Sequence, residues 1–138
     1  GDYDPTGALA GVPSDRRTAS PQVSAGTVAV VAPGSSGTID SAQITTGKTG
    51  ELMGVIVTSS VPFKAVLRTV LNAIASGDKA IGFSGSDRKW ELFPPSRKFY
   101  RQAQDVGAGF DGFRIVVTNL DTGPNSADFY ATFFYDEV

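Results

Sequence analysis

No cysteine and no histidine occurs among the 138 residues. Their absence excludes disulfides, thiolate and imidazole metal sites, cysteine nucleophiles and any mechanism that needs a histidine base. Glutamate is also scarce, with only Glu51, Glu91 and Glu137. Charge of one sign is lacking as well: 14 acidic against 12 basic side chains leave a formal charge of -2, too balanced for binding driven by phosphate neutralisation, so no nucleic-acid partner is expected. The longest nearly apolar stretch, Leu52 to Val57, is broken by Gly54 and is far too short to span a membrane as a helix, and the Gly-Asp-Tyr-Asp-Pro start lacks the basic residues and apolar run of a secretory signal. A soluble protein made in the cytosol is expected.

What is present is a loop-rich globular composition: 41% hydrophobic, 19% charged, 16 Gly and 8 Pro. The length allows one compact domain with a tail. Aromatic residues are unevenly spread, since every Phe, Trp90 and all the Tyr except Tyr3 lie after Ser60. Residues 1–25 therefore lack the means to build a core. Pro5, Pro13 and Pro21 recur there among Gly, Ala, Ser and Thr, which favours an extended N-terminal arm, either mobile or ordered by a neighbouring subunit. The domain body is expected over 26–138.

From Thr27 onward the hydrophobic period is mostly two. Thr27 to Ala32, Thr38 to Thr45 and Glu51 to Ser59 are β-branched runs separated by turn residues, and further short strands are expected at Lys79 to Phe83, Lys89 to Phe93 and Lys98 to Gln102. Phe113, Ile115 and Val117 alternate, as do Ala127, Phe129, Ala131, Phe133 and Tyr135, and the connector from Asn119 to Ser126 is rich in turn formers. These two runs read as an antiparallel hairpin. Its second strand is aromatic on both faces, which suits a central strand or one covered by another subunit. Residues 63–75 fit two templates: Phe63, Val66, Leu67, Val70, Leu71 and Ile74 have helical spacing, while Phe63, Ala65, Leu67, Thr69 and Leu71 alternate as a strand that would pair in a hairpin with the segment before it. Both readings stay open. The fold expected is all-β, a single β-sandwich or jelly roll, with one short helix at 63–75 as the alternative there.

The chemical motifs in the sequence have structural explanations. Gly107, Gly109 and Gly112 match a dinucleotide fingerprint, but a strand follows where a helix is required; Gly47-Lys48-Thr49 lacks the first glycine of a phosphate loop, which is Ala42. Ser59 or Ser60 with Lys64 is an arrangement that any serine-rich turn produces by chance. The acids offer no marked pair for glycoside hydrolysis. Asn119, Asp121, Asn125 and Asp128 concentrate oxygen ligands as calcium requires, yet turn-forming hydrogen bonds explain the same residues. No catalytic residue, metal or cofactor is therefore assigned.

The stretch 88–101 is the most informative. Five cations against Glu91 leave +4 there, interleaved with Trp90, Phe93, Phe99 and Tyr100, a combination found at protein interfaces, in glycan sites and on single-strand nucleic-acid platforms. Six acids against Arg114 leave -5 over 102–138, and opposite fields on one small domain favour head-to-tail contacts between copies. The interface residues expected are Tyr3 and Leu9 as arm anchors, with Trp90, Arg97, Phe99, Tyr100 and Arg101 on the body; Phe129 and Phe133 are expected in the core.

The order Ser60-Val-Pro-Phe-Lys-Ala-Val-Leu, Trp90-Glu-Leu-Phe-Pro-Pro, Gly109-Phe-Asp-Gly-Phe-Arg-Ile-Val-Val-Thr-Asn-Leu-Asp and the aromatic last strand resembles small β-sandwich virion proteins of tailed bacteriophages, above all capsid decoration (cement) proteins. The resemblance covers roughly residues 38–138. It implies a jelly-roll or related sandwich, a homotrimer, an arm that grips a neighbour, the major capsid protein or other virion subunits as partners, a virion location after synthesis in the host cytoplasm, and no catalysis. A tail or baseplate component fits the same resemblance. The reading from a different class is a carbohydrate-binding module that stacks sugars on Trp90 and Tyr100.

Overall fold

A computed structural model describes residues 19–94, 100–102 and 109–138. Ten strands are described: β1 (Ser20–Val31), β2 (Ser36–Asp40), β3 (Thr49–Ser59), β4 (Phe63–Leu71), β5 (Ile74–Ala75), β6 (Ala80–Phe83), β7 (Lys89–Leu92), β8 (Tyr100–Gln102), β9 (Gly112–Asn119) and β10 (Ala127–Glu137). They form two antiparallel sheets. The first has the order β1-β10-β3-β7, with β8 beside β7 along the same edge of β3; the second has the order β2-β9-β4-β5, with β6 beside β5 along β4.

When β5 with β6, and β7 with β8, are each taken as one interrupted strand, the described residues give eight strand positions. First pairs with last, second with seventh, third with sixth and fourth with fifth, while β10–β3 and β9–β4 contacts close each sheet. That connectivity is the jelly roll. Among the described residues no helix is long and apolar enough to cross a membrane.

The core lies between the sheets because alternate residues point inward. Phe63, Phe113, Phe129 and Phe133 are fully buried, together with Leu52, Val55, Val57, Leu67, Ile115 and Val117. Phe63 and Phe129 meet edge to face across the two sheets with centroids 5.6 Å apart, and Phe113 meets Tyr135 at 5.7 Å. Each such ring contributes about 1.5–3 kcal/mol through burial. The expected core positions Phe129 and Phe133 are therefore where the alternation places them.

Residues 63–71 take the strand reading, and two expected hairpins do not form. Residues 63–71 are strand β4, and no helix occurs over 63–75. Phe63, Ala65, Leu67 and Thr69 face the core, while Val66 and Val70 are buried on the opposite face; apolar residues on both faces of one strand create a spacing that also fits a helix. The strand ends in the two-residue turn Asn72-Ala73, with φ of 51° and 66°, the backbone that a tight hairpin to β5 requires.

The hairpin expected from 113–119 and 127–136 does not form. β9 pairs with β2 and β4 in one sheet, and β10 pairs with β1 and β3 in the other, so the connector crosses the sandwich. Buried Asn119 anchors the crossing: its Nδ2 donates to the Val31 and Asn125 carbonyls and its Oδ1 accepts from Asp121 N. The step from β3 to β4 likewise changes sheets, so these two strands form no hairpin either. Finally, the boundary expected at residue 25 falls inside β1, where Ser20 to Ala25 pair with Glu137 to Thr132 of β10; residues 1–18 lie outside the described residues.

Candidate interaction surface

The outer face of the first sheet is built by strict alternation. The rows Ser24–Phe133–Val55 and Gly26–Ala131–Val57 face the core, so the rows between them, Val23–Phe134–Gly54, Ala25–Thr132–Ile56 and Thr27–Tyr130–Thr58, face outward. A bulge between Phe134 and Tyr135 lets β10 keep Tyr135 inward opposite Leu52 and leaves Met53 without a register partner. The chain just after β7 then folds Phe93 over Gly54, where a Cβ would collide with the ring. Phe93 and Phe134 lie 6.3 Å apart with their planes inclined by 35°.

The result is a strip of Val23, Phe134 and Phe93, with Ile56, Met53 and Tyr130 beside it. Val23 is 69% exposed, Phe93 54% and Tyr130 50%. Lys89 and Glu91 on β7 mark one side of the strip and pair with each other at 3.6 Å. Exposed aromatic and aliphatic side chains grouped on one sheet face, with a charged margin, are suited to contact with another protein.

The outer face of the second sheet differs. Asp78, Arg68, Arg114 and Asp40 form a ladder across it, because Arg68 and Arg114 sit opposite each other on β4 and β9 and each carries its own acid. Arg114 holds Asp40 through Nε at 2.6 Å and Nη2 at 3.0 Å, and that hydrogen bond raises the guanidinium pKa above its ordinary value. Ile81 and Phe83 are exposed at the β6 edge.

Of the expected interface residues, Trp90, Tyr100 and Arg101 fall on described strands. Tyr3, Leu9, Arg97 and Phe99 lie outside the described residues. Trp90 faces inward opposite Val57, packs on the core and covers Gly82 of the other sheet. A ring used in this way is not a free platform for a sugar. Tyr100 is opposite Glu51 in β8. Arg101 spans the sandwich: its Nη2 donates to Thr69 Oγ1 at 3.4 Å, and its buried Nε has no hydrogen-bond partner among the described residues.

Many acids of the C-terminal segment serve their own domain. Asp128 accepts from Val30 N, Asp121 accepts from Gly123 N and Asn125 N, Asp111 accepts from Asn72 N, and Glu137 accepts from Thr45 N and Oγ1. Asn119, Asp121 and Asp128 of the oxygen-rich group in the sequence thus spend side-chain oxygens on backbone N–H groups, and Asn125 joins them through its own backbone. The residues that sequence reasoning missed are Val23, Met53, Phe134 and Tyr130. The signal was visible in β10, whose aromatics alternate on both faces.

No family model matches the chain, and no curated protein matches it. Among solved structures it is similar to the crystal structure of PirA, at 13% identity over 85% of this chain and 93% of that one, with a TM-score of 0.38. It is also similar to a chain of the cyanophage Pam1 capsid, at 15% identity over 86% of each chain and a TM-score of 0.40. A third similarity is to the structure of tomato aspermy virus, at 10% identity over 83% of this chain and 76% of that one, with a TM-score of 0.42. At these values the likeness is a loose overlap of backbones.

Proposed function

We propose that this protein is a non-enzymatic virion structural subunit that decorates a phage capsid and stabilises it by cross-linking neighbouring subunits. The observation that carries this reading is the outer strip of Val23, Phe93, Phe134 and Tyr130 on a jelly roll whose core is already complete without it. Apolar side chains left outside a filled core gain free energy when another protein covers them. The sequence resemblance supplies the virion context, with a homotrimer and an N-terminal arm that grips a neighbour as its implied form. Many modest contacts of this kind add through multivalency on a repeating surface.

The test is mass spectrometry and co-sedimentation of purified phage particles. The protein is expected at a stoichiometric copy number, and the doubly substituted Phe93→Ser, Tyr130→Ser protein is expected to fold but bind stripped particles at least tenfold more weakly. Absence from the particle, or undiminished binding by the double variant, overturns the reading.

A further inference from the structure

Sheet edges expose unpaired N–H and C=O groups, and folded proteins protect them with short strands, charged side chains, prolines and bulges. Most edge strands here follow that rule. β7 has four residues including Lys89 and Glu91, β8 has three including Arg101, β5 has two, and the five residues of β2 end at Asp40 in the charge ladder. β1 does not. It is 12 residues long, carries no charged side chain, and has Pro21 only at its start. Its single register break, between Val28 and Val31, leaves Ser20 to Val28 regular.

Along that regular stretch, β10 is the only strand paired with β1 among the described residues. β2 packs against the inner side of β1, with Ile39 and the Asp40 carbonyl beside Gly26 and Val28 over Gly37. The segment after β2 adds a side-chain bond from Ala42 N to the Ser24 hydroxyl, and Gln22 Nε2 donates to the Ser20 carbonyl at the start of the strand. Past the regular stretch Asp128 of the paired strand β10 takes the Val30 N–H, where φ is 54°, which holds the irregular end of β1 to β10, and among the described residues no strand pairs with the other side of Ser20–Val28.

We propose that Ser20–Val28 pairs antiparallel with the same segment of a second copy, joining two copies across a twofold axis into one continuous sheet. The occupant is argued from self-complementarity. An uncharged strand meets itself without like-charge repulsion, small residues Ser24, Ala25 and Gly26 at the middle permit close approach, and Val23 brings the two apolar strips side by side across the seam. This pairing is independent of attachment to a particle. Combined with a threefold contact, it would yield hexamers or an open lattice.

Sedimentation equilibrium of the full chain from about 1 to 500 µM tests it, because a strand-paired dimer must dissociate on dilution. An Ala25→Lys, Thr27→Lys protein places lysines on exposed outward positions of the edge and should show half the oligomer mass of the parent, with an unchanged melting temperature at concentrations where the parent is itself dissociated. Since the chain has no cysteine, single Val23→Cys, Ala25→Cys and Thr27→Cys proteins, alone and in pairwise mixtures, report the register: antiparallel self-pairing cross-links only combinations whose positions are equidistant from one centre. A parent that is monomeric throughout, an oligomer unaffected by the lysines, or a monomer that dimerises only after removal of residues 1–18 overturns the proposal. Particle binding that persists in the lysine protein would leave the decoration reading standing while self-pairing is judged separately.

Discussion

Trp90 of β7 covers Gly82 of β6, so an indole from one sheet occupies the space where a side chain of the other would stand. The two residues belong to different sheets at the same end of the strand order, and their contact closes that end of the sandwich. A Cβ at position 82 would fall inside the ring, so only glycine fits beneath it. Gly82→Ala is expected to cost about 1–3 kcal/mol through overpacking. Because Trp90 is the sole tryptophan, its fluorescence reads the displacement directly as a red shift in the folded state. An unshifted spectrum with unchanged stability would show that the indole does not rest there.

Asn119 is fully buried and ties three segments together through its amide. Asn119→Ala leaves the Val31 and Asn125 carbonyls and the Asp121 N–H without their partner. The expected loss is about 2–4 kcal/mol, near the upper range for abandoned buried hydrogen bonds. Urea unfolding measures it; a loss below 1 kcal/mol would mean water replaces the amide.

Tyr135 is buried against Phe113, and burial, aided by the Glu137 charge, raises its phenol above the ordinary value of 10.0. The folded chain therefore keeps a proton that the unfolded chain has lost. Stability is unaffected by this group below pH 10 and falls as pH rises through 10 towards the raised value. Tyr135→Phe should flatten that part of the alkaline decline in a pH series of melting temperatures, and an identical decline in both proteins would assign it elsewhere.

A chain beginning at Ala19 retains every described strand, whereas one beginning at Gly26 loses half of β1 and unpairs Thr132 to Glu137 of β10 on one side. The second truncation is expected to lower the melting temperature by at least 10 °C relative to the first, the equivalent of about 2–3 kcal/mol in a domain of this size. Equal melting temperatures would show that the first half of β1 contributes nothing to the body.

Alternation by itself determined which residues face the core. Phe113, Ile115 and Val117, and Phe129, Ala131 and Phe133, are buried where the period of two puts them, because side-chain direction along a strand is local geometry. Alternation also marked β10 as apolar on both faces, which its central position between β1 and β3 and the outer strip together explain. Strand pairing was not legible. The residues 119–126 have the composition of a hairpin turn, yet they carry the chain from one sheet to the other, because the Asn119 amide finds its partner at Val31, 88 residues away. The choice between strand and helix at 63–75 had the same origin: only the packing of β4 between β9 and β6 shows that Val66 and Val70 lie on the face opposite Leu67. The fate of Trp90 and Arg101 also waited on the tertiary structure. Composition showed an aromatic and basic stretch, but whether such side chains look outward or span the sandwich depends on which residue of the facing sheet, Gly82 or Thr69, leaves room for them. Faces follow from neighbours in sequence; partners follow from the non-local contacts that close the two sheets.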